Sequence, residues 1–153
     1  IYKADQLSKI QKENILKIWN TEYPQFLTYN STNDFENYLN KLENAEHYIA
    51  EDLKKSVGWA VKFDRNNSKW FLIMVDSQSQ GKSLGTKLME QLKLEAIELN
   101  GWVVDAETYK KQDGKPYKSP IEFYIKNGFS ITGERLEANI LSAVKVKWIR
   151  DKK

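Results

Sequence analysis

Trp70-Phe71-Leu72-Ile73-Met74-Val75, then Asp76-Ser77-Gln78-Ser79, then Gln80-Gly81-Lys82-Ser83-Leu84-Gly85-Thr86, running on to Leu99, is the stretch that decides the fold. The opening run is apolar, short, and rich in aromatic and β-branched residues, as a buried strand is. Leu84, Leu88, Met89, Leu92, Ala96 and Leu99 then recur at helical spacing, which predicts a helix over 84–99. The unit reads strand, glycine-bearing loop, helix.

A loop of that kind presents unpaired backbone N–H groups at the positive end of the helix dipole, where an anion is favoured. Gly81 and Gly85 let the backbone come close to a phosphate, and Lys82 and Thr86 add a charge and a hydroxyl. An ordinary strand-to-helix turn would use the same residues, so local chemistry alone leaves both readings open. Gly81-Lys82-Ser83 also resembles the end of a nucleotide P-loop. That motif needs a glycine five residues before Gly81, where this chain has Asp76, and a carboxylate there would repel phosphate. The nucleotide-hydrolase reading is excluded.

Val75 through Leu88 resembles motif A of the GNAT superfamily of acyl-CoA-dependent N-acyltransferases, whose signature is Gln/Arg-x-x-Gly-x-Gly/Ala. Gln80 takes the first position, Ser83 stands where the middle glycine belongs, and Gly85 takes the last. Downstream, Phe123-Tyr124-Ile125-Lys126-Asn127-Gly128-Phe129 resembles the same family's FYxxxGF segment. The two motifs cover the second half of the chain.

The resemblance implies an α/β (α+β) architecture in one domain over 1–153: a mixed, mostly antiparallel sheet of about six to seven strands with a central splayed parallel pair, flanked by about four helices. It implies acetyl-CoA as co-substrate, gripped at its pyrophosphate by Gln80, Gly81, Lys82, Ser83, Leu84, Gly85 and Thr86. The backbone of Ile73, Met74 and Val75 would hold the pantetheine arm. It implies that Tyr124 protonates the departing thiolate, a role suited to a phenol of ordinary pKa about 10. The rival reading packs Tyr124 beside Phe123 as core. Glu107, at the end of the strand that follows the helix, is the first candidate for general base, with Asp105 and Asp76 behind it. The family's Asn and Ala before the tyrosine helix have no clear match, Pro120 standing near the Ala position.

The rest of the chain bounds these expectations. At 153 residues, with 41% hydrophobic and 29% charged, it has the size and composition of one globular domain. It has no cysteine, so disulfides, thiolate nucleophiles and zinc–cysteine sites are excluded. His47 is its one histidine and reads as structural; no metal is expected. A net charge of +3 is too mild to argue for nucleic acid. No apolar run reaches membrane-spanning length and no signal peptide is visible, so no membrane association and a cytoplasmic location are expected.

A strand is predicted at 1–3, an amphipathic helix from Leu7 ended by Pro24, and a second helix capped within Ser31–Asp34 and running to Leu42. Strands follow at 47–52 and 57–63, joined by the turn at Lys54-Lys55, and a turn at 64–68 leads into Trp70. Asn100-Gly101 reads as a helix stop before a parallel strand at 102–106. Residues 109–119 read as a polar loop, either a flap or simply solvated. A short helix at 120–126 and closing strands at 129–134 and 140–149 complete the chain.

Between Asn20 and Asp52, seven carboxylates face one lysine, a net of −6, among many aromatics. That composition suits a cationic amine, and it equally suits aromatic core under a solvated acidic surface. The expected partner is a small-molecule or peptide amine, cationic on the first of those readings, and the expected assembly a monomer or homodimer. Two rival functions stand beside the N-acetyltransferase: a catalytically weak acyl-CoA-binding or sensing module, and a non-enzymatic interaction domain.

Overall fold

The computed structural model describes residues 1–81, 83–105, 109–138 and 141–151. In chain order the elements are β1 (Tyr2–Ala4), α1 (Lys9–Glu22), α2 (Thr32–Asn40), β2 (Glu43–Asp52), β3 (Lys55–Arg65), β4 (Ser68–Val75), α3 (Leu84–Lys93), β5 (Glu98–Val104), α4 (Ile121–Lys126), β6 (Ser130–Ala138) and β7 (Leu141–Ile149). The strands form one seven-stranded sheet in the order β1-β2-β3-β4-β5-β7-β6. Every neighbouring pair is antiparallel except β4–β5, which is parallel.

Local chemistry sets most of these elements. Ser8 and Gln11 form a reciprocal capping box at the start of α1, and Ser31 accepts from the Asp34 amide at the start of α2. Pro24 lies two residues past α1, where it cannot continue the helix. The sheet separates two cores. On one face α1 and α2 bury Ile15, Ile18, Trp19 and Phe35 against Ile49, Trp59, Val61 and Met74. On the other, Leu88, Met89 and Leu92 of α3 and Tyr124 of α4 pack on Phe71, Leu99, Val103, Val144 and Val146.

The structure corrects one part of the sequence reading. The helix predicted over 84–99 ends at Lys93, and Asn100-Gly101, expected to stop it, lie inside β5. The chain turns at Leu94–Ile97 with Glu95 at φ 62°. The open carbonyls of that turn find donors far away in sequence. Lys62 Nζ of β3 reaches Leu92 O (3.3 Å) and Leu94 O (2.8 Å), and Arg150 donates to Ala96 O (2.8 Å) and Lys93 O. Gly101 serves close packing instead: a Cβ there would stand 2.8 Å from Phe71 Cε1.

The 109–119 segment is also more ordered than a solvated loop. Tyr117 N donates to Tyr109 O (2.9 Å) and Lys111 N to Lys115 O (2.9 Å), closing a small hairpin. Gln25 N donates to Lys110 O (2.9 Å), and Pro24 pairs with Lys111, so the hairpin docks on the end of α1.

Candidate active site

The parallel pair is joined at a single register position, Trp70 with Asn100. Beyond it β4 and β5 diverge, whereas β3 and β4 stay paired from Arg65/Ser68 to Gly58/Val75. Ladder parity then says which groups face the gap. Asp76 N donates to Val57 O at 2.8 Å, so alternate residues of β4 bond to β3, and Met74 is one of them. The N–H and C=O of Ile73 and Val75 therefore point away from β3, toward the diverging side. Gln80 Nε2 takes the Val75 carbonyl at 3.1 Å, so this side chain folds back to close the loop.

After β4, Asp76 caps a single turn at Ser77–Ser79 by accepting from Gln78 N. Gly81 follows at φ 86° and Ser83 at φ 63°, ψ 17°. The motif's middle position thus requires left-handed backbone, the conformation glycine adopts most cheaply. Lys82 lies outside the described residues. The first intrahelical bond of α3 runs from Lys87 N to Ser83 O (3.0 Å), and no side chain caps the helix. The amides of Leu84, Gly85 and Thr86 consequently have no partner among the described residues and open at the positive end of α3.

The two sequence motifs meet at Gly85. A Cβ there would stand 3.1 Å from Phe123 Cε1 and 4.0 Å from Val75 Cγ2. The absent side chain lets the end of β4, the start of α3 and α4 close on one another. Tyr124, beside Phe123, is 7% exposed and ringed by Phe71, Phe123 and Phe129 at centroid distances of 5.8, 5.3 and 5.7 Å. Burial raises its phenol well above the ordinary value, with the nearby Tyr117 adding to the shift. The group is protonated throughout the physiological range. Tyr117, also buried, is pushed up to about 12 by desolvation.

The end of α1 closes the same region. Glu22 Oε2 accepts from Ser77 N at 3.2 Å, and Glu22 Oε1 lies 3.6 Å from Lys111 Nζ of the hairpin. The phenol of Tyr23 is held up by desolvation and by the electrostatic proximity of Tyr124 and Tyr117. Sequence reading missed this assembly: Glu22 was one acid among seven, and neither Tyr23 nor Tyr117 belongs to a motif. No local signal marks them, because the hairpin that brings them together lies nearly ninety residues downstream.

Of the three carboxylates considered as base, Glu107 lies outside the described residues. Asp105 is engaged by Arg135 (2.9 Å) and by the Ser142 hydroxyl (3.3 Å), and Asp76 by its capping bond. His47 is buried, and Trp59 Nε1 donates to its Nδ1 at 3.0 Å, which makes it structural. Among the described residues no cluster of His, Asp and Glu is placed to hold a metal ion, and no helix is long and apolar enough to cross a membrane.

Comparison with known proteins agrees with this arrangement. No curated protein sequence matches significantly. Among solved structures, an aminoglycoside 6'-N-acetyltransferase complexed with coenzyme A is 14% identical, with 97% of each chain covered and a TM-score of 0.70. A ribosomal-protein-alanine N-acetyltransferase from Brucella melitensis is 15% identical, with 98% of this chain and 100% of that one covered and a TM-score of 0.70. An aminoglycoside 6'-N-acetyltransferase from Enterococcus faecium is 14% identical, with 97% of each covered and a TM-score of 0.68. At these identities the likeness is one of fold. The family model for the acetyltransferase (GNAT) domain matches residues 43–131, more than half of the sequence, and spans both the diverging strands and the tyrosine helix. The chain belongs to the GNAT acetyltransferase family.

Proposed function

We propose that the protein moves an acetyl or similar short acyl group from acetyl-CoA to a primary amine by direct attack within a ternary complex. The observation that carries this reading is the divergence of β4 from β5 at the end where the unpaired amides of α3 open. The diphosphate of CoA sits on Leu84, Gly85 and Thr86 N–H, with Gly81 and Ser83 shaping the loop and Gln80 bracing it. The pantetheine arm adds to β4 along Ile73 and Val75, with the outward N–H and C=O of Ile73 and the N–H of Val75 supplying its hydrogen bonds, the Val75 carbonyl being taken by Gln80, while Met74 holds the strand to β3.

The amine nitrogen attacks the thioester carbonyl, the C–N bond forms and the C–S bond breaks. The sulfur leaves with the proton of Tyr124, whose buried phenol keeps that proton until a thiolate develops. The amine's own proton passes to Glu107, directly or through water. Support for Glu107 is that Asp105 and Asp76 are already committed to partners.

Acetyl-CoA turnover against a panel of amines, read by thiol release, tests the reaction. Acetyl-CoA must also raise the melting temperature, since it binds only the folded chain. Tyr124→Phe is expected to lower kcat by roughly 100-fold while leaving acetyl-CoA affinity within a factor of about two. An unchanged kcat removes Tyr124 from the mechanism; a melting temperature indifferent to acetyl-CoA removes the whole reading.

A further inference from the structure

Gly101 stands in the middle of β5, where glycine weakens a strand and alanine would serve it better. Its backbone does not call for glycine, since its φ lies outside the left-handed region. Space accounts for it instead. A Cβ at Gly101 would stand 2.8 Å from Cε1 and 3.0 Å from Cζ of Phe71. The far edge of that ring takes the room of the missing side chain.

Phe71 sits at the apex of the seam. It follows Trp70, and Gly101 follows Asn100, the one register pair that joins β4 to β5. The Asn100 side-chain amide donates to Lys69 O at 3.0 Å, and in the core on the other face Trp102 packs on Trp70 with centroids 5.7 Å apart. Phe71 itself is 3% exposed. In an interior packed this closely, a displaced ring displaces its neighbours.

One of those neighbours is Tyr124. Phe71, Tyr124 and Phe129 form a closed triangle of rings. Phe71 lies 5.8 Å from Tyr124 and 5.3 Å from Phe129, and the last two are 5.7 Å apart, centroid to centroid. Tyr124 and Phe129 are tied to each other at the end of α4, where Phe129 N donates to Tyr124 O at 3.0 Å. Phe71 is the member of the triangle that belongs to the sheet. Contact therefore runs unbroken from Gly101, through one aromatic ring, to Tyr124.

We propose that Gly101 and Phe71 are positioning residues for Tyr124: the room left at Gly101 sets where the Phe71 ring lies, and that ring sets where Tyr124 presents its hydroxyl to the departing sulfur. This rests on the acetyl-transfer reading above, in which Tyr124 supplies the sulfur's proton. Ordinary contact begins at 3.4 Å, so a methyl group at Gly101 displaces the ring by several tenths of an ångström. Small misplacements of a reacting group are costly in rate even when binding is unaffected.

The test measures acetyl-CoA-dependent thiol release by the full chain, with acetyl-CoA binding followed separately by thermal shift. In Gly101→Ala, kcat is expected to fall roughly tenfold or more while acetyl-CoA affinity stays within a factor of about two. The same substitution is then made in a Tyr124→Phe background. With no hydroxyl left to position, Gly101→Ala is expected to lower kcat by less than about twofold further. Losses that multiply would mean that the methyl group merely loosens the core, and would overturn the proposal. So would an unchanged kcat in Gly101→Ala beside the expected loss in Tyr124→Phe, a result that leaves the acetyl-transfer reading standing. An unchanged kcat in Tyr124→Phe would instead reject the acid, and the proposal with it. Should Gly101→Ala fail to fold, Phe71→Leu, which withdraws the ring from Tyr124 without adding a methyl group, is carried through the same cycle with the same expected outcomes.

Discussion

Ser83 holds a left-handed backbone at φ 63° in the loop before α3, with nothing bonded to its hydroxyl as a helix cap. An L-residue there costs roughly 1–2 kcal/mol relative to right-handed backbone. Glycine removes that strain but adds about 0.5–1 kcal/mol of unfolded-state entropy to be lost on folding. The first effect is larger, so Ser83→Gly is expected to stabilise the protein by about 0.5–1 kcal/mol. Urea unfolding would read this as a higher midpoint at unchanged slope; a lower midpoint would mean the Ser83 hydroxyl does something the fold needs. The turn of this loop was legible in sequence because it is set locally, Gly81 taking the positive φ that glycine adopts most cheaply. Glu22 was not, since what distinguishes it from six other acids is Lys111 and Ser77, both supplied by distant segments.

Elements were legible where their ends are set by neighbours in sequence, as at the Ser31 cap of α2 and at Pro24 beyond α1. The end of α3 was not, because its carbonyls are met by Lys62 of β3 and by Arg150 just past β7, while Asn100-Gly101 imitates a helix stop. The pairing of β2 with β3 carries a second tertiary feature. His47 on β2 accepts from Trp59 Nε1 on β3 at 3.0 Å, the two rings lying 6.0 Å apart. Burial lowers the imidazole pKa to about 4, against about 6.5 unfolded. The unfolded chain therefore binds the proton first on acidification. The stability from neutral His47 is complete above pH about 6.5 and is lost progressively down to pH about 4, by up to about 3 kcal/mol. His47→Gln keeps an acceptor for Trp59 without the titrating ring. Its stability should fall less steeply than wild type between pH 6.5 and 5, measured by urea unfolding at each pH. Parallel slopes would show that the imidazole titrates normally in the fold.

At the scale of the molecule, the sheet is two antiparallel halves, β1–β4 and β5-β7-β6, meeting at one register pair. Motif spacing placed the strand, the loop and the start of the helix at Leu84, but the parting of β4 from β5 is a relation between halves and leaves no mark in either strand's sequence. It entered as an implication of family resemblance, and the single pairing at Trp70 and Asn100 is its observed form. The seam makes a prediction at individual amides. In the free protein Ile73 and Val75 N–H face the gap, whereas Met74 N–H is already bonded to β3. A pantetheine arm lying along β4 would bond the outward amides and leave the inward one unchanged. Hydrogen exchange resolved by NMR should therefore show acetyl-CoA slowing Ile73 or Val75 by at least tenfold more than Met74, together with slowing at Leu84–Thr86. Uniform slowing along β4 would reflect general stabilisation by ligand, and slowing confined to the start of α3 would mean that CoA grips its diphosphate here without threading the seam.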